Sequence, residues 1–442
     1  MLRTAVVLLN RVLRARDHPA LVEAARTAEH VIPLFVFDEA VLASFGAPNR
    51  VRFLLDALRD LEGTLGTIVF RQGDVVAETV RVAREAGAGA VHASADVSAY
   101  ARRREERLAC ALEAERIGFH LHPGVTVVPP TGEDRIFTRY WRGWQRQTFR
   151  LVLPSPGPVR LPAGLDAGAL PRLAELTRGK IAAELPQGGE TEGRARAERW
   201  LPAGAQHYRE RNNFVAADET SRLSPYLHLG CVSPLELVAR LRGDPSAEPF
   251  VRQLAWRDFY AQLLAANPRL PYDDLQSRGD DWLDDAAAFE AWREGRTGYP
   301  LVDAGMRQLE REGWMHNRAR LVTASFLVKD LYLDWRLGAA HFFDHLVDGD
   351  LANNCGNWQW VAGTAVDPRP YRIFNPTLQA QKFDPEGDYV RRYVPELRGI
   401  EGAAVHEPRK LDGGLAPLEY PKPIVDHLEA VRRFRDRRRE DD

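Results

Sequence analysis

The sequence predicts two domains of different class: an α/β N-terminal domain with a doubly wound parallel sheet, and a larger all-α domain behind it. Three observations predict this. Across residues 1–130, short apolar runs alternate with amphipathic helical stretches. Across 131–190 that alternation dissolves into turn formers. Across 191–442 helical periodicity dominates, and strand-like alternation nearly disappears.

Within 1–130, Ala5–Leu9, Val31–Phe37, Thr67–Phe70 and Ala90–Ala93 read as strands. The helices between them fall near Pro19–Glu29, Asn49–Gly63, Asp74–Ala86 and Tyr100–Ile117. Right-handed crossovers would bring the loops Phe37-Asp38-Glu39 and Ala95-Asp96-Val97 to the carboxyl edge, where such sheets bind ligands. No GxGxxG is present, so this is not the dinucleotide-binding version. Residues 131–190, with Leu153-Pro-Ser-Pro-Gly-Pro158 and Leu185-Pro-Gln-Gly-Gly189, read as an interdomain linker. Residues 191–442 carry frequent helix stops, as at Ser233-Pro234, Asn267-Pro268 and Gly298-Tyr-Pro300. They form a domain large enough to hold an internal cofactor.

Composition narrows the function classes. A net charge of −2 gives no global field for nucleic acid, so any DNA affinity must come from a local basic patch. Cys110, Cys231 and Cys355 form no CxxC pair, which points to a reducing compartment rather than a disulfide scaffold or zinc site. The N-terminal apolar run ends after Leu9 and reads as a buried strand, not a signal peptide. No run approaches the ~18 apolar residues of a membrane span. A soluble, cytoplasmic protein is expected.

Several stretches carry chemistry. Asp348-Gly-Asp-Leu-Ala-Asn-Asn-Cys-Gly-Asn-Trp-Gln-Trp360 is poor in helix formers. If helical, it puts Asn354 and Trp358 on one face; otherwise it is a polar turn beside two core tryptophans. In Thr220-Ser-Arg-Leu-Ser-Pro225, Ser224 suits an N-cap and Pro225 the first helical position. Such an end binds phosphate, or is a capped helix needing no ligand. Gln253, Trp256 and Arg257 fall within about one turn. In Gly313–Arg320, His316 pairs with Arg320 and Trp314 with Arg318, each four apart. Indoles beside arginines could stack a base and hold phosphates, and equally could anchor an amphipathic helix in a core.

Taken together, Trp256-Arg-Asp-Phe-Tyr260, Gly295–Arg307, Gly313–Arg320, Thr323–Lys329, Asp348–Trp360 and Arg372-Ile-Phe-Asn-Pro376 resemble the photolyase/cryptochrome family. They stand in its order and near its spacing across essentially the whole C-terminal half. Within the family the chain looks most like class I cyclobutane pyrimidine dimer photolyases of the deazaflavin-antenna type.

The resemblance implies FAD, folded in a U, inside the helical domain. Tyr208, Thr220, Ser221, Arg222, Leu223 and Ser224 match segments around the flavin phosphates, and Phe250 joins this cofactor set. Asp348 and Asp350 match positions along the flavin and adenosine edge, with Arg320 as the partner of the first. Asn354 matches the residue facing flavin N5, where plant-type cryptochromes carry Asp and animal-type ones Cys. Asn there favours the fully reduced anion that repair requires. Trp358, Trp335 and Trp282 match the electron relay from flavin to surface.

For the substrate, Trp256 and Trp360 match the indoles that cup a flipped-out dimer, and Asn317 and Gln253 match residues that hydrogen-bond its bases. Arg257, Arg318, Arg372 and Lys382 belong with the DNA-facing set. Relatives that repair (6-4) products carry a second His where this chain reads His316-Asn317, so the cyclobutane dimer is expected.

The implied activity is a light-driven lyase that passes an electron to the dimer and recovers it. Damaged DNA is its partner, and the chain acts as a monomer. A blue-light-sensing cryptochrome is the main rival, and a light-independent flavin oxidoreductase the third reading. Phe37, Asp38, Asp96 and Tyr100 mark the implied antenna pocket, expected to take 8-hydroxy-5-deazaflavin rather than methenyltetrahydrofolate. Departures from the family are Gln253 in place of a common Glu, Leu321 in place of Met, Asn212 in place of Arg, and Asn10 and Val12 at the end of the first strand.

Overall fold

A strand at Leu2–Leu8 (β1) is the centre of a five-stranded parallel sheet in the computed structural model. The structure describes residues 2–130, 132, 134–366, 371–411 and 419–439. The other strands are Ala28–Phe37 (β2), Val69–Gln72 (β3), Ala90–Ser94 (β4) and Gly118–His122 (β5), in the order β3-β2-β1-β4-β5. Val6 of β1 is in register with Ile32 on one side and Val91 on the other. Val6, Leu8, Ile32 and Leu34 pack in one core with Val76 and Val82 of the helix Val75–Glu85 and with Leu108 and Leu112 of Ala99–Ala114. Burial of this kind is why Ala5–Leu8 of β1 and Val31–Phe37 of β2 read as unbroken apolar runs. The order reverses between β1 and β4, and the crevice beyond their carboxyl ends is the ligand position of such sheets.

Three elements here were not anticipated. β5 is an edge strand whose five residues are half-buried or exposed, so it carries no apolar alternation. Glu39–Phe45 has no buried residue and hangs on its Asp38 cap. The helix Phe137–Gln145 lies inside the stretch expected to be a linker and buries Phe137, Tyr140, Trp141 and Trp144. Its apolar residues follow helical spacing, but the turn formers downstream hid them.

The chain folds as two compact units. The first comprises 1–181, 186–206 and 221–268, and the second 182–185, 207–220 and 269–442. The helix Glu248–Ala266 therefore packs with the first unit, although the sequence reading grouped all of 191–442 together. Its buried Asp258 explains part of this. One carboxylate oxygen accepts from Val127 N at 2.9 Å, Val128 N at 3.0 Å and Trp144 Nε1 at 3.1 Å. Burial pushes the carboxyl of Asp258 up to about 6.

In the second unit no strand occurs among the described residues. Its core gathers Trp292, Phe326, Trp335, Trp358 and Tyr389. Among the described residues no helix is long and apolar enough to cross a membrane.

Candidate cofactor and DNA site

The polar stretch that opens at Asp348 is a helix, Leu351–Ala362, and the side chains flanking it explain why. Asp350 is its N-cap, accepting from Asn353 N at 2.8 Å and from Asn353 Nδ2 at 2.7 Å. Gly363, at φ 80°, ends it in the left-handed conformation that glycine allows. Burial of Ala352, Cys355, Trp358 and Val361 supplies the packing that propensity does not.

Asp348 precedes the helix and receives Arg320 Nη2 on both oxygens, at 3.1 and 2.8 Å. Arg320 is fixed in turn by donating Nε to Met315 O at 2.8 Å. Asn354 donates one Nδ2 hydrogen to Ala339 O at 2.8 Å, and its oxygen remains able to accept. Asn317, Arg320, Asp348, Asp350, Asn354 and Trp358 line one pocket of the second unit. It offers a cationic edge, two carboxylates, an amide acceptor and an indole.

The expected phosphate segment is less regular. Thr220 Oγ1 is buried with no hydrogen-bond partner in the protein. An orphan of that kind costs about 1–3 kcal/mol unless a ligand satisfies it. Arg222 sits at φ 48°, a strained value for a non-glycine residue. Ser224 was expected to cap the next helix. Instead Leu223 holds the cap position of Ser224–His228 without a side-chain bond, and Ser221 Oγ accepts from Leu223 N at 3.3 Å. Pro225, with no N–H, leaves the cap one donor fewer to satisfy. Tyr208 opens the short helix Tyr208–Arg211, and burial pushes its phenol up to about 12. Phe250 is buried against Trp200, ring centroids 4.8 Å apart.

The three tryptophans expected to form a relay differ in burial. Trp358 and Trp335 are buried, whereas Trp282 is part-exposed. Trp358 lies so close to the helix Trp335–His345 that a Cβ on Gly338 would fall 2.2 Å from its Cη2. Gly338 is three residues beyond Trp335, and Trp335 and Trp358 belong to one core cluster. Trp335 donates Nε1 to Asp274 at 2.8 Å. Gln359, which the sequence reading passed over, accepts from Leu275 N at 2.8 Å and donates to Leu270 O and Asp273 O. It pins the loop that carries Asp274.

The expected DNA-facing residues divide. Trp256 is part-exposed and stacks on Phe137, with centroids 3.6 Å apart and planes 7° from parallel. Phe137 was not foreseen. Gln253 and Asn317 are exposed. Arg318 donates to Asn213 Oδ1 and lies 4.4 Å from the Phe383 ring. Burial without a nearby carboxylate lowers its pKa. Arg372 is exposed and sits 5.5 Å from the Trp360 ring, and Lys382 lies over Phe383. Arg257 is a correction. Its guanidinium donates to Val125 O at 2.6 Å and Leu227 O at 3.1 Å, so it braces the first unit and is not presented to a phosphate.

At the sheet edge Asp38 accepts from Ala40 N at 2.8 Å and Tyr100 Oη at 2.9 Å, and Asp96 pairs with Arg11 at 3.2 Å. Phe37 is buried among Phe35 and Phe70. Between β1 and β4, however, Asn10 Oδ1 and Ser94 Oγ are buried without partners, although Asn10 Nδ2 donates to Ser94 O at 2.8 Å.

Comparison with known proteins covers both ends of the chain. Residues 5–159 match the family described as DNA photolyase, and residues 250–440 match the FAD binding domain of DNA photolyase. A deoxyribodipyrimidine photo-lyase of Streptomyces griseus is 49% identical, over 97% of this chain and 98% of the relative. A protein of Danio rerio named cryptochrome DASH is 35% identical, over 96% of this chain and 90% of its own. The crystal structure of a bacterial class III photolyase from Agrobacterium tumefaciens superposes with a TM-score of 0.91 at 31% identity, covering 100% of this chain and 98% of that one.

Proposed function

The chain belongs to the photolyase/cryptochrome family and carries its FAD-binding domain, and on that premise we propose that it opens cyclobutane pyrimidine dimers in DNA with light. One observation supports the choice of repair: the Asn354 amide, anchored by a bond from Nδ2 to Ala339 O, lines the pocket and has an oxygen able to accept there. An acceptor suits a ring nitrogen that bears hydrogen, as in a reduced flavin, and is a poor proton donor. The orphaned Thr220 hydroxyl and the Arg320–Asp348 pair fit the polar parts of the same cofactor.

The bound, reduced flavin supplies the electron that light drives onto the lesion. The residues of the chain then have separate tasks. Asp348 and Asp350 hold the polar edge of the cofactor, while Arg320 pairs with the buried Asp348. Trp358, Trp335 and Trp282 return a resting, oxidised cofactor to its active state. Trp256 and Trp360 offer aromatic faces to the extruded bases, Gln253 Nε2 donates to a base carbonyl, and Asn317 adds a second polar contact. Arg318 and Arg372 meet backbone phosphates, which makes binding salt-sensitive. Tyr208 and Ser221 to Ser224 complete the cofactor set with Phe250.

In this reading the first unit is the antenna domain, and its chromophore is of the deazaflavin type. The unpaired Asn10 and Ser94 oxygens at the β1/β4 crevice support a ligand there. The protein acts on damaged DNA as a monomer in the cytoplasm.

The test is to incubate reduced holoprotein with an oligonucleotide containing a thymine dimer and follow the lesion in light and in darkness. Loss of the lesion in light alone supports repair. An intact lesion with light-dependent change at the flavin would favour a sensor, the reading that the cryptochrome DASH relative keeps in view. Gln253→Glu is expected to raise the repair yield, because a carboxyl group there can also give a proton.

A further inference from the structure

The connection 313–316 joins the helix Pro300–Glu312 to the helix Asn317–Ser325, and its backbone holds several arms of the site at once. Gly313 O accepts from Val347 N at 2.8 Å, next to Asp348. Met315 O accepts from Arg320 Nε at 2.8 Å. His316 caps the second helix, its Nδ1 accepting from Arg318 N at 3.1 Å and its O from Arg320 N at 3.0 Å. Asn317 follows directly, exposed and on the pocket lining. Any shift of His316 therefore carries Asn317 with it.

His316 is itself fixed by Gln308, a side chain only 2% exposed. Gln308 Oε1 accepts from His316 N at 3.1 Å and from Tyr389 Oη at 2.7 Å. Gln308 Nε2 donates to Tyr393 Oη at 3.2 Å and to Glu312 Oε1 at 3.3 Å. Tyr393 Oη donates to Glu312 Oε1 in turn. The amide thus spends both lone pairs and both hydrogens inside the protein. Glu312, Tyr389 and Tyr393 are buried too, so the amide cannot turn without leaving polar groups unpaired. Its neighbours Met306 and Leu309 fill the same core with apolar side chains, so packing alone does not call for an amide at 308.

Resting on the repair reading above, we propose that Gln308 is a positioning residue for lesion recognition. Its amide oxygen fixes His316, the fixed cap sets the first turn of Asn317–Ser325, and that turn aims Asn317 at the extruded dimer. Gln308 is absent from the pocket lining and works only through this route. The cofactor edge has anchors of its own, because Arg320 and Asp348 hold each other and Arg320 also bonds Met315 O. Loss of the Gln308 amide is therefore felt by the lesion contact and not by the flavin.

The experiment measures binding of the holoprotein, in darkness, to a duplex containing one thymine dimer and to the same duplex undamaged. Gln308→Met keeps the length of the side chain and removes its hydrogen bonds. It is expected to lower the ratio of the two affinities by about tenfold, as a misdirected contact does. Flavin content and affinity for the undamaged duplex are expected to stay at the parent value. In an Asn317→Ala background the same substitution is expected to leave the ratio unchanged, because the group it aims is gone. A ratio that Gln308→Met leaves intact, or that falls by the same factor with and without Asn317, would overturn the proposal. If Gln308→Met fails to fold, Tyr389→Phe frees one side of the amide and is expected to lower the ratio in the same direction. An unchanged ratio there would overturn the proposal equally. A parent protein that binds both duplexes alike would instead overturn the repair reading, and the proposal with it.

Discussion

Along Leu351–Ala362 and its approach, polar side chains are held by the protein: Asp348 by Arg320, Asn353 by Asp350, Asn354 by Ala339 O and Gln359 by the loop at 270–275. At the carboxyl edge of the sheet, by contrast, Asn10 Oδ1 and Ser94 Oγ are buried with nothing to bond. The first surface is complete before any ligand arrives, so a cofactor meets groups already fixed in place. The second leaves its acceptors to a ligand or to water. Essential electron chemistry suits the first design, and an accessory chromophore tolerates the second.

Removing a group should therefore matter far more on the helix than at the sheet edge. The largest effect is expected from Asp348→Ala, which leaves Arg320 half-buried without its anion. The loss should be about 3 kcal/mol together with flavin retention, read by thermal unfolding and by absorbance after gel filtration. Stability within ~0.5 kcal/mol of the parent would break the contrast.

Gly338→Ala probes the same wall from behind. The new methyl meets the Trp358 ring, so about 1–3 kcal/mol of stability should be lost to overpacking. Photoreduction of the flavin should slow as Trp358 shifts.

Asp258 asks whether the first unit is tied as firmly away from its ligand edge. Its folded pKa, about 6, lies above the ordinary 3.8. Between those values the native state holds a proton that the unfolded state has lost, so this group makes stability fall as pH rises through that window. Asp258→Asn should flatten the pH dependence of the melting temperature between 4 and 6, values set by the same shift. An unchanged slope would contradict the assignment.

Ser94→Ala should have the smallest effect on protein prepared without antenna, from no change to a gain of about 1 kcal/mol, because it deletes an unpaired buried oxygen. A large loss of stability there would show that the sheet edge depends on its polar groups no less than the helix does.

The sequence made the central site legible only through its resemblance to a family. By propensity alone Asp348–Trp360 reads as a turn as readily as a helix. The cap at Asp350 and the burial of Trp358 overrule that, and both depend on tertiary packing. Arg257 was misread because its acceptors, Val125 O and Leu227 O, are distant in sequence and nothing local announces them. β5 was missed because an exposed edge strand needs no apolar face.

The most direct test is a single light flash on reduced holoprotein bound to a duplex containing one thymine dimer, scoring lesion and flavin spectrum together. The account predicts that the dimer is opened, that the flavin spectrum returns to its starting form, and that a duplex with a (6-4) product is left intact. An intact dimer beside a flavin that remains oxidised would contradict it.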